Sequence, residues 1–512
     1  MHKLPIFARI KETMGVMDKF LFEVRIQAAQ DAGWNVFRFP ASYIAVDLLS
    51  DSGTGPLSPK QIALLARGNE QVNCAYGMRD SFLTLQEAVA DIFGLGVPEK
   101  DFYFFPFPQG RAAESVFFET LRKELTEDMA RTIYPTEPPF RPPQISIISN
   151  SHFDTTRANI ELAGFEAHDL PIPKWAHGEN DVFSGGIDTS QLKFLLHGSR
   201  YGCPADNEVG DPPPVSIIPA VFMTITNNTR GGLPVSMENI RATSELCREY
   251  EVPFFLDAAR FAENAYFIKK YEEGYAEKSI REIVREMISH CDGFLISFKK
   301  DGLSHTGGGL VLKNPSLFLS RYPHFPDAVR TRLITTMSND TQGAIPGGYQ
   351  LAISEGLYTA TTMEYLEARV SQVARFGKML KNAGVPVLEP FGGHAVYVDT
   401  NRFFDGAVMK LTDFGGVSLT AILLLYGVRA CELGAFAFGK HDKEKNTETP
   451  PLFNYVRLAI PRRGYADEEL VPAVDALKTL HELRLFVPRA VPVYGRDLPL
   501  RHMKARFELE PR

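Results

Sequence analysis

DGFLISFKKDGLSHTGGG, residues 292–309, is the stretch on which the reading of this chain turns. A short apolar run, Phe294 to Ile296, has the length and composition of a buried strand, and it ends in two adjacent lysines, Lys299 and Lys300. A lysine beside a second cation, at the edge of an apolar strand, has its ammonium form disfavoured by desolvation and by like charge. Such a lysine can act as a nucleophile that forms a Schiff base with a carbonyl cofactor or substrate. The plainer alternative is a solvated Lys-Lys pair closing a strand, and the neighbouring stretches decide between the two.

Outward from this point, residues from about 100 to 312 alternate apolar strands with amphipathic helices, the pattern of an α/β layered domain with a mainly parallel sheet. Phe102–Phe105 runs through PFPQG into a helix from Arg111, and Ile145–Ile148 runs through SNSHFDTT into a second. Ser216–Thr226 reads as one long buried strand ending at Asn227 and Asn228, and Pro253–Leu256 as a short one ending at Asp257. In such sheets ligands bind beyond the carboxyl ends of the strands, where polar residues cluster here.

Tyr134–Pro143 and Gly198–Pro214 read as surface loops. The Thr, Asn, Gly and Pro content from about Arg330 to Gly348 predicts a hinge, followed by a long helix over about 349–383. A smaller α/β unit then contains GGHAVYVDT and NYVRLAIPRR, interrupted by a hydrophilic loop, HDKEKNTETP. The expected division is an N-terminal arm and part of the small domain in 1–60, a large domain in 61–335, and hinge, long helix and small domain in 336–512.

At 512 residues the chain exceeds one core. A net charge of -7 argues against a nucleic-acid surface, and no apolar run reaches the length of a membrane span. The N-terminal stretch lacks the continuous apolar core of a secretory signal and reads as a structured arm or helix. Five scattered cysteines without a CxxC pair fit reduced cytoplasmic thiols, and the twelve histidines form no transition-metal motif.

Gln109-Gly110-Arg111 sits where a strand turns into a helix, a point that suits an anion. Phe153 offers a flat ring at the next strand end, with Asp154 or Thr155 positioned to cap the helix. Asp257 ends a buried strand and calls for a cation. Arg260 could supply it, or a protonated pyridine nitrogen, which would make a pyridoxal cofactor an electron sink. Ser297-Phe-Lys-Lys300 matches the SxxK of penicillin-recognising serine enzymes, but the accompanying SDN and KTG elements are missing.

VDLLSDSGTG (46–55), PQGRAAES (108–115), HFDTT (152–156), TNNTRGGLPVSM (226–237), DAARFAENAYFIK (257–269), SFKKD (297–301), GGHAVYVD (392–399) and VRLAIPRR (456–463) together resemble the pyridoxal-phosphate-dependent β-eliminating lyases, the family of tryptophanase and tyrosine phenol-lyase, over nearly the whole chain. The resemblance implies the aspartate-aminotransferase-like fold (fold type I): a large α/β/α domain and a smaller α/β domain, assembled as dimers or tetramers. It implies that Lys300 carries pyridoxal 5'-phosphate and later removes the substrate α-proton, while Lys299 tunes its charge. Gln109, Gly110, Arg111 and Ser297 would hold the phosphate, and Phe153 would stack on the ring. Asp257 would pair with the ring nitrogen, with Asn228 and Arg260 on its hydroxyl oxygen. Arg457, with Ser50 and Asn228, would clamp the substrate carboxylate. Tyr76 would protonate the leaving group, and Glu70 with the carbonyls of Gly53 and His305 would bind potassium.

Three positions bear on the leaving group. The phenol-lyase has arginine where this chain has Leu433, threonine where it has Asp154, and phenylalanine where it has His502. Leucine favours an apolar ring, and all three choices point to an indole-sized group, hence to tryptophan as substrate. The insertion QVNC (71–74) and the segment SNDTQGAIPGG (338–348), with Gln342 where the family has tyrosine, depart from the pattern. They keep open a different β-substituted amino acid, or β-replacement, and an aminotransferase or a non-catalytic relative are the further alternatives.

Overall fold

The computed structural model describes residues 4–12, 16–70, 79–128, 144–173, 181–199, 216–405, 409–451 and 453–512. Two compact units emerge: Gly55–Ala368, and Met1–Thr54 together with Arg369–Arg512.

The first unit is organised by an eight-stranded sheet, because its inner strands are apolar on both faces. Its order is Phe102–Phe107, Gly308–Lys313, Gly293–Ser297, Phe254–Asp257, Val221–Thr224, Gln144–Ser149 and Glu166–Asp169, with Ser216–Ile217 pairing separately with Gln144–Ser149. Pairings are parallel except for Gly308–Lys313, which runs antiparallel to both of its neighbours. Successive side chains along a strand point to opposite faces. Phe294 meets Phe93, ring centroids 4.6 Å apart, whereas Leu295 joins the other core with Phe117, Phe222 and Phe255. Helix Gly110–Asp128 covers that second face, its Phe117 ring lying 5.0 Å from Phe255 and 5.4 Å from Phe325 of helix Phe325–Thr336.

Several expectations are corrected. The apolar run from Ser216 to Thr226 is two strands, Ser216–Ile217 and Val221–Thr224. Pro219, which has no N–H to give a ladder, lies between them. Asp257 and Lys300 are separated by two helices, Phe261–Tyr271 and Ile280–Ser289, where one was expected. A capping box of Ser279 and Glu282 starts the second. The long helix is also two, Gly347–Ala360 and Met363–Asn382. At the break the Thr361 hydroxyl donates to the Tyr358 carbonyl at 3.0 Å and Thr362 to Thr359 at 2.8 Å, so side chains compete with the helical ladder.

In sequence the two units divide after Thr54 and after Ala368. Helix Gly347–Ala360 packs on helices Pro59–Glu70 and Asp80–Phe93, so closely that a Cβ on Gly68 would lie 2.3 Å from the Gly348 Cα. Gln350 accepts from the Ser81 hydroxyl at 2.9 Å and donates to the Thr341 carbonyl at 2.9 Å. The stretch expected as a hinge is thereby tied into the first unit, and Arg330 Nε donates to Asp340 at 2.7 Å.

The second unit has its own core, which draws on both ends of the chain, from Leu4 to Leu48 and from Val373 to Leu509. A three-stranded antiparallel sheet sets Tyr455–Ala459 between Ala395–Asp399 and Cys431–Leu433. Val46–Asp47 pairs in parallel with Val428–Arg429, reinforced by the Arg429–Asp47 ion pair. The hydrophilic stretch HDKEKNTETP is no open loop but part of a hairpin, Lys440–Asp442 with Thr447–Thr449. The buried carboxylate of Glu448 holds it, accepting from Arg496 at 2.9 Å and Arg501 at 3.0 Å.

Candidate active site

In the first unit five strand ends converge on one set of polar residues. Phe102–Phe107 leads to Gln109, whose carbonyl accepts from the Ala112 amide at 3.0 Å as helix Gly110–Asp128 begins. Gly308 pairs with both Phe107 and Ser297, which brings the strand leading to Gln109 and the lysine strand together. No side chain fits there: a Cβ on Gly308 would lie 2.4 Å from the Gly110 nitrogen, and one on Gly110 would lie 2.9 Å from the Ser297 Cβ. The amides opening the helix and the Ser297 hydroxyl carbon thus lie at one point, a geometry suited to an anion.

Beyond Ser297 the chain turns sharply, the Lys300 amide donating to the Ser297 carbonyl at 3.2 Å. Lys300 Nζ comes to 5.8 Å from the centre of the Phe153 ring. Phe153 precedes helix Asp154–Leu162, and the buried Asp154 accepts from the Thr155 amide at 2.7 Å. Asn228 and Arg260 are both buried, in the turns after Val221–Thr224 and Phe254–Asp257.

Burial raises the pKa of Asp257, and the charge of Lys300, the Ala259 amide at 3.2 Å and the charge of Arg260 pull against it. Lys299 is pushed the other way from its ordinary value, by burial first and by the Arg111 guanidinium second. Both are the directions that a low-dielectric site imposes on the charged form.

In the second unit Arg457 is buried on the central strand, opposite Tyr397 and Cys431, and donates to the Leu49 carbonyl at 3.1 Å. The Ser50 hydroxyl accepts from the Ser52 amide at 3.1 Å. Leu433 is buried in an apolar cluster with Tyr397, Tyr455 and Cys431, against which Phe37 and Leu49 pack. The His502 ring meets Phe37 edge-on at 5.6 Å and is buried, not a surface residue of a basic tail. The adjacent Glu432 is pushed up to about 7 by burial while accepting from the Phe436 and Ala437 amides.

Two predicted site residues lie outside the described region: Tyr76, and the side chain of Glu70. Of the other residues assigned to potassium, Gly53 has a left-handed φ of 71°, and the His305 ring reaches the Gly55 carbonyl at 2.9 Å. Among the described residues no cluster of His, Cys, Asp or Glu could hold a metal ion. The described cysteines, Cys247, Cys291 and Cys431, are buried thiols.

Residues 47–476 match the family model described as "Beta-eliminating lyase". The chain belongs to the β-eliminating lyase family. It is 36% identical to a tryptophanase of Hyphomonas neptunium over 95% of each chain, and 37% identical to one of Salinibacter ruber over 89% and 85%. It is also 34% identical to a tyrosine phenol-lyase of Lacrimispora saccharolytica over 98% and 96%. Solved structures of similar fold include a Pyrococcus protein described as protein-A1 (TM-score 0.54, 13% identity, covering 94% of this chain and 99% of that one). Another is the threonine aldolase of Leishmania major (TM-score 0.53, 15% identity, 85% and 99%). The fold is type I of the pyridoxal-phosphate enzymes, and this β-eliminating lyase is pyridoxal-phosphate-dependent.

The residues gathered in the large unit suit that cofactor: an amide-lined helix start for a phosphate, an aromatic face for a ring, a carboxyl for a pyridine nitrogen and an amine for an aldehyde. Two acids of this lyase, one buried and one half-buried, were missed in its sequence. Asp301 is fully buried and accepts from the Ala262 amide at 2.8 Å, fastening the lysine turn to the helix after Arg260. Glu114, inside the quoted PQGRAAES, accepts from the Thr156 hydroxyl at 2.7 Å. Their places beside the lysine pair and in the PQGRAAES stretch were the available signals.

Proposed function

We propose that this lyase carries out β-elimination on tryptophan, giving indole, pyruvate and ammonia. The observation that carries the reading is the surrounding of Leu433 and His502. Leu433 lies among tyrosine rings, and His502 is the imidazole on the Phe37 ring that packs against the same cluster. An apolar surface with one imidazole matches an indole ring bearing one N–H, and Leu433 offers no guanidinium for a phenol oxygen.

Pyridoxal phosphate, when bound, supplies the electron sink that acidifies the substrate α-carbon. The chain's own residues do the rest. Gln109, Gly110, Arg111 and Ser297 hold the phosphate, Phe153 covers the ring face, and Asn228 and Arg260 take the ring hydroxyl oxygen. Asp257 keeps a proton on the ring nitrogen. Lys300 anchors the cofactor through its amine and then takes the α-proton, helped by the lowered basicity that burial and Arg111 impose on its neighbour Lys299. Arg457 and Ser50 hold the substrate carboxylate, Asp154 and His502 address the indole N–H, and Tyr76 protonates the departing carbon. Glu70, Gly53 and His305 bind a potassium ion. The enzyme works as a homodimer or homotetramer in the cytoplasm. Among the described residues no helix is long and apolar enough to cross a membrane.

Purified protein with pyridoxal phosphate and potassium, incubated with tryptophan, should release equal amounts of indole and pyruvate. Phenol from tyrosine at a higher kcat/KM would overturn the substrate assignment. The altered 338–348 segment favours a second reading, action on another β-substituted amino acid or β-replacement. It predicts new amino acids when indole-like nucleophiles are supplied with serine.

A further inference from the structure

We propose that Glu114 is a positioning residue for the bound cofactor, a clasp joining the helix end that takes the phosphate to the helix end that presents the stacking ring. The proposal rests on the cofactor-site reading above and deepens it. Glu114 lies one turn into helix Gly110–Asp128, and Thr156 lies in the first turn of helix Asp154–Leu162, directly after Phe153. One carboxyl oxygen of Glu114 accepts from the Thr156 hydroxyl at 2.7 Å, and the other accepts from the Asn159 amide at 3.1 Å. The same Asn159 amide reaches the Arg111 carbonyl at 3.2 Å. Three side-chain bonds therefore span the two helix starts, which belong to different strand-helix units. These bonds connect the helix that opens at Gly110 to the helix that follows Phe153, and a rigid cofactor needs ring face and phosphate amides at fixed separation.

The clasp also lies in the field of the catalytic charges. Burial pushes the Glu114 acid up to about 7, the charge of Asp257 adds to that, and the Thr156 bond, Lys300 and the Asn159 bond oppose it. Glutamine is isosteric here: its amide nitrogen can donate to the Thr156 hydroxyl while its oxygen accepts from Asn159. Alanine removes both bonds.

The test compares wild type, Glu114→Ala and Glu114→Gln by titrating apoenzyme with pyridoxal phosphate and recording visible circular dichroism at saturation, a signal of ring orientation. Glu114→Ala should bind about tenfold more weakly, the loss of one to two charge-assisted hydrogen bonds, with an altered visible band. Glu114→Gln should restore both to wild type. A wild-type visible band in saturated Glu114→Ala overturns the proposal, whatever its stability. Failure of wild type itself to take up pyridoxal phosphate overturns the cofactor-site reading and this inference together.

Discussion

Asp169 and Asp257 end strands of the same sheet, yet their carboxyls are driven in opposite directions. Burial raises both. At Asp169 the bonds from His152 at 2.7 Å and Arg157 at 2.6 Å outweigh it and bring the value down to about 2. At Asp257 they do not, and the value stays raised. A carboxyl depressed on folding contributes stability that is full above its unfolded value near 4 and lost as pH falls through about 2. Asp169→Asn should therefore cost about 2 kcal/mol at neutral pH, a gap to wild type that closes in denaturant melts repeated down to pH 2. A gap independent of pH would refute the ion-pair origin. At Leu433 the chemistry is steric and dielectric. An arginine there would place a guanidinium among Tyr397, Tyr455 and Cys431, and kcat/KM for tryptophan should fall at least about tenfold, as measured by indole release.

Elements were legible wherever both faces of a strand are buried. Runs such as Phe254–Leu256 and Phe294–Ile296 contain no polar residue, and the first unit's sheet is built from them. Breaks were not legible, because they arise from competition: Pro219 against a ladder, Thr361 and Thr362 hydroxyls against helix carbonyls. The 440–449 hairpin escaped notice for a similar reason, since its anchor Glu448 finds Arg496 and Arg501 about fifty residues away. The 338–348 segment illustrates how tightly such irregular stretches can be held. Gly343 has φ 53°, and a Cβ there would lie 1.9 Å from the Pro106 carbonyl oxygen, in the strand leading to Gln109 and Gly110. Gly343→Ala should cost more than about 2 kcal/mol and weaken pyridoxal-phosphate binding, both read from cofactor-dependent thermal melts. An unchanged melt would show that the segment yields.

At the scale of the molecule, two units with separate cores predict unfolding that is not two-state. The residues proposed to hold the cofactor all lie in Gly55–Ala368. Calorimetry should resolve two transitions, with pyridoxal phosphate at about 100 times its Kd raising that unit alone by about 2.7 kcal/mol. A single transition moving as a whole would contradict this. The lysine pair, the ring at 153, the acid at 257 and the GR helix start were all readable in the chain itself. Each is a property of neighbours in sequence, an apolar run meeting a polar end. The clasp of Glu114 on Thr156, the burial of His502 against Phe37, the division after Ala368 and the broken helix were decided only by the tertiary structure. They depend on which distant groups the chain's path brings within a few ångströms, and on how much water that packing removes, neither of which is encoded in any single stretch.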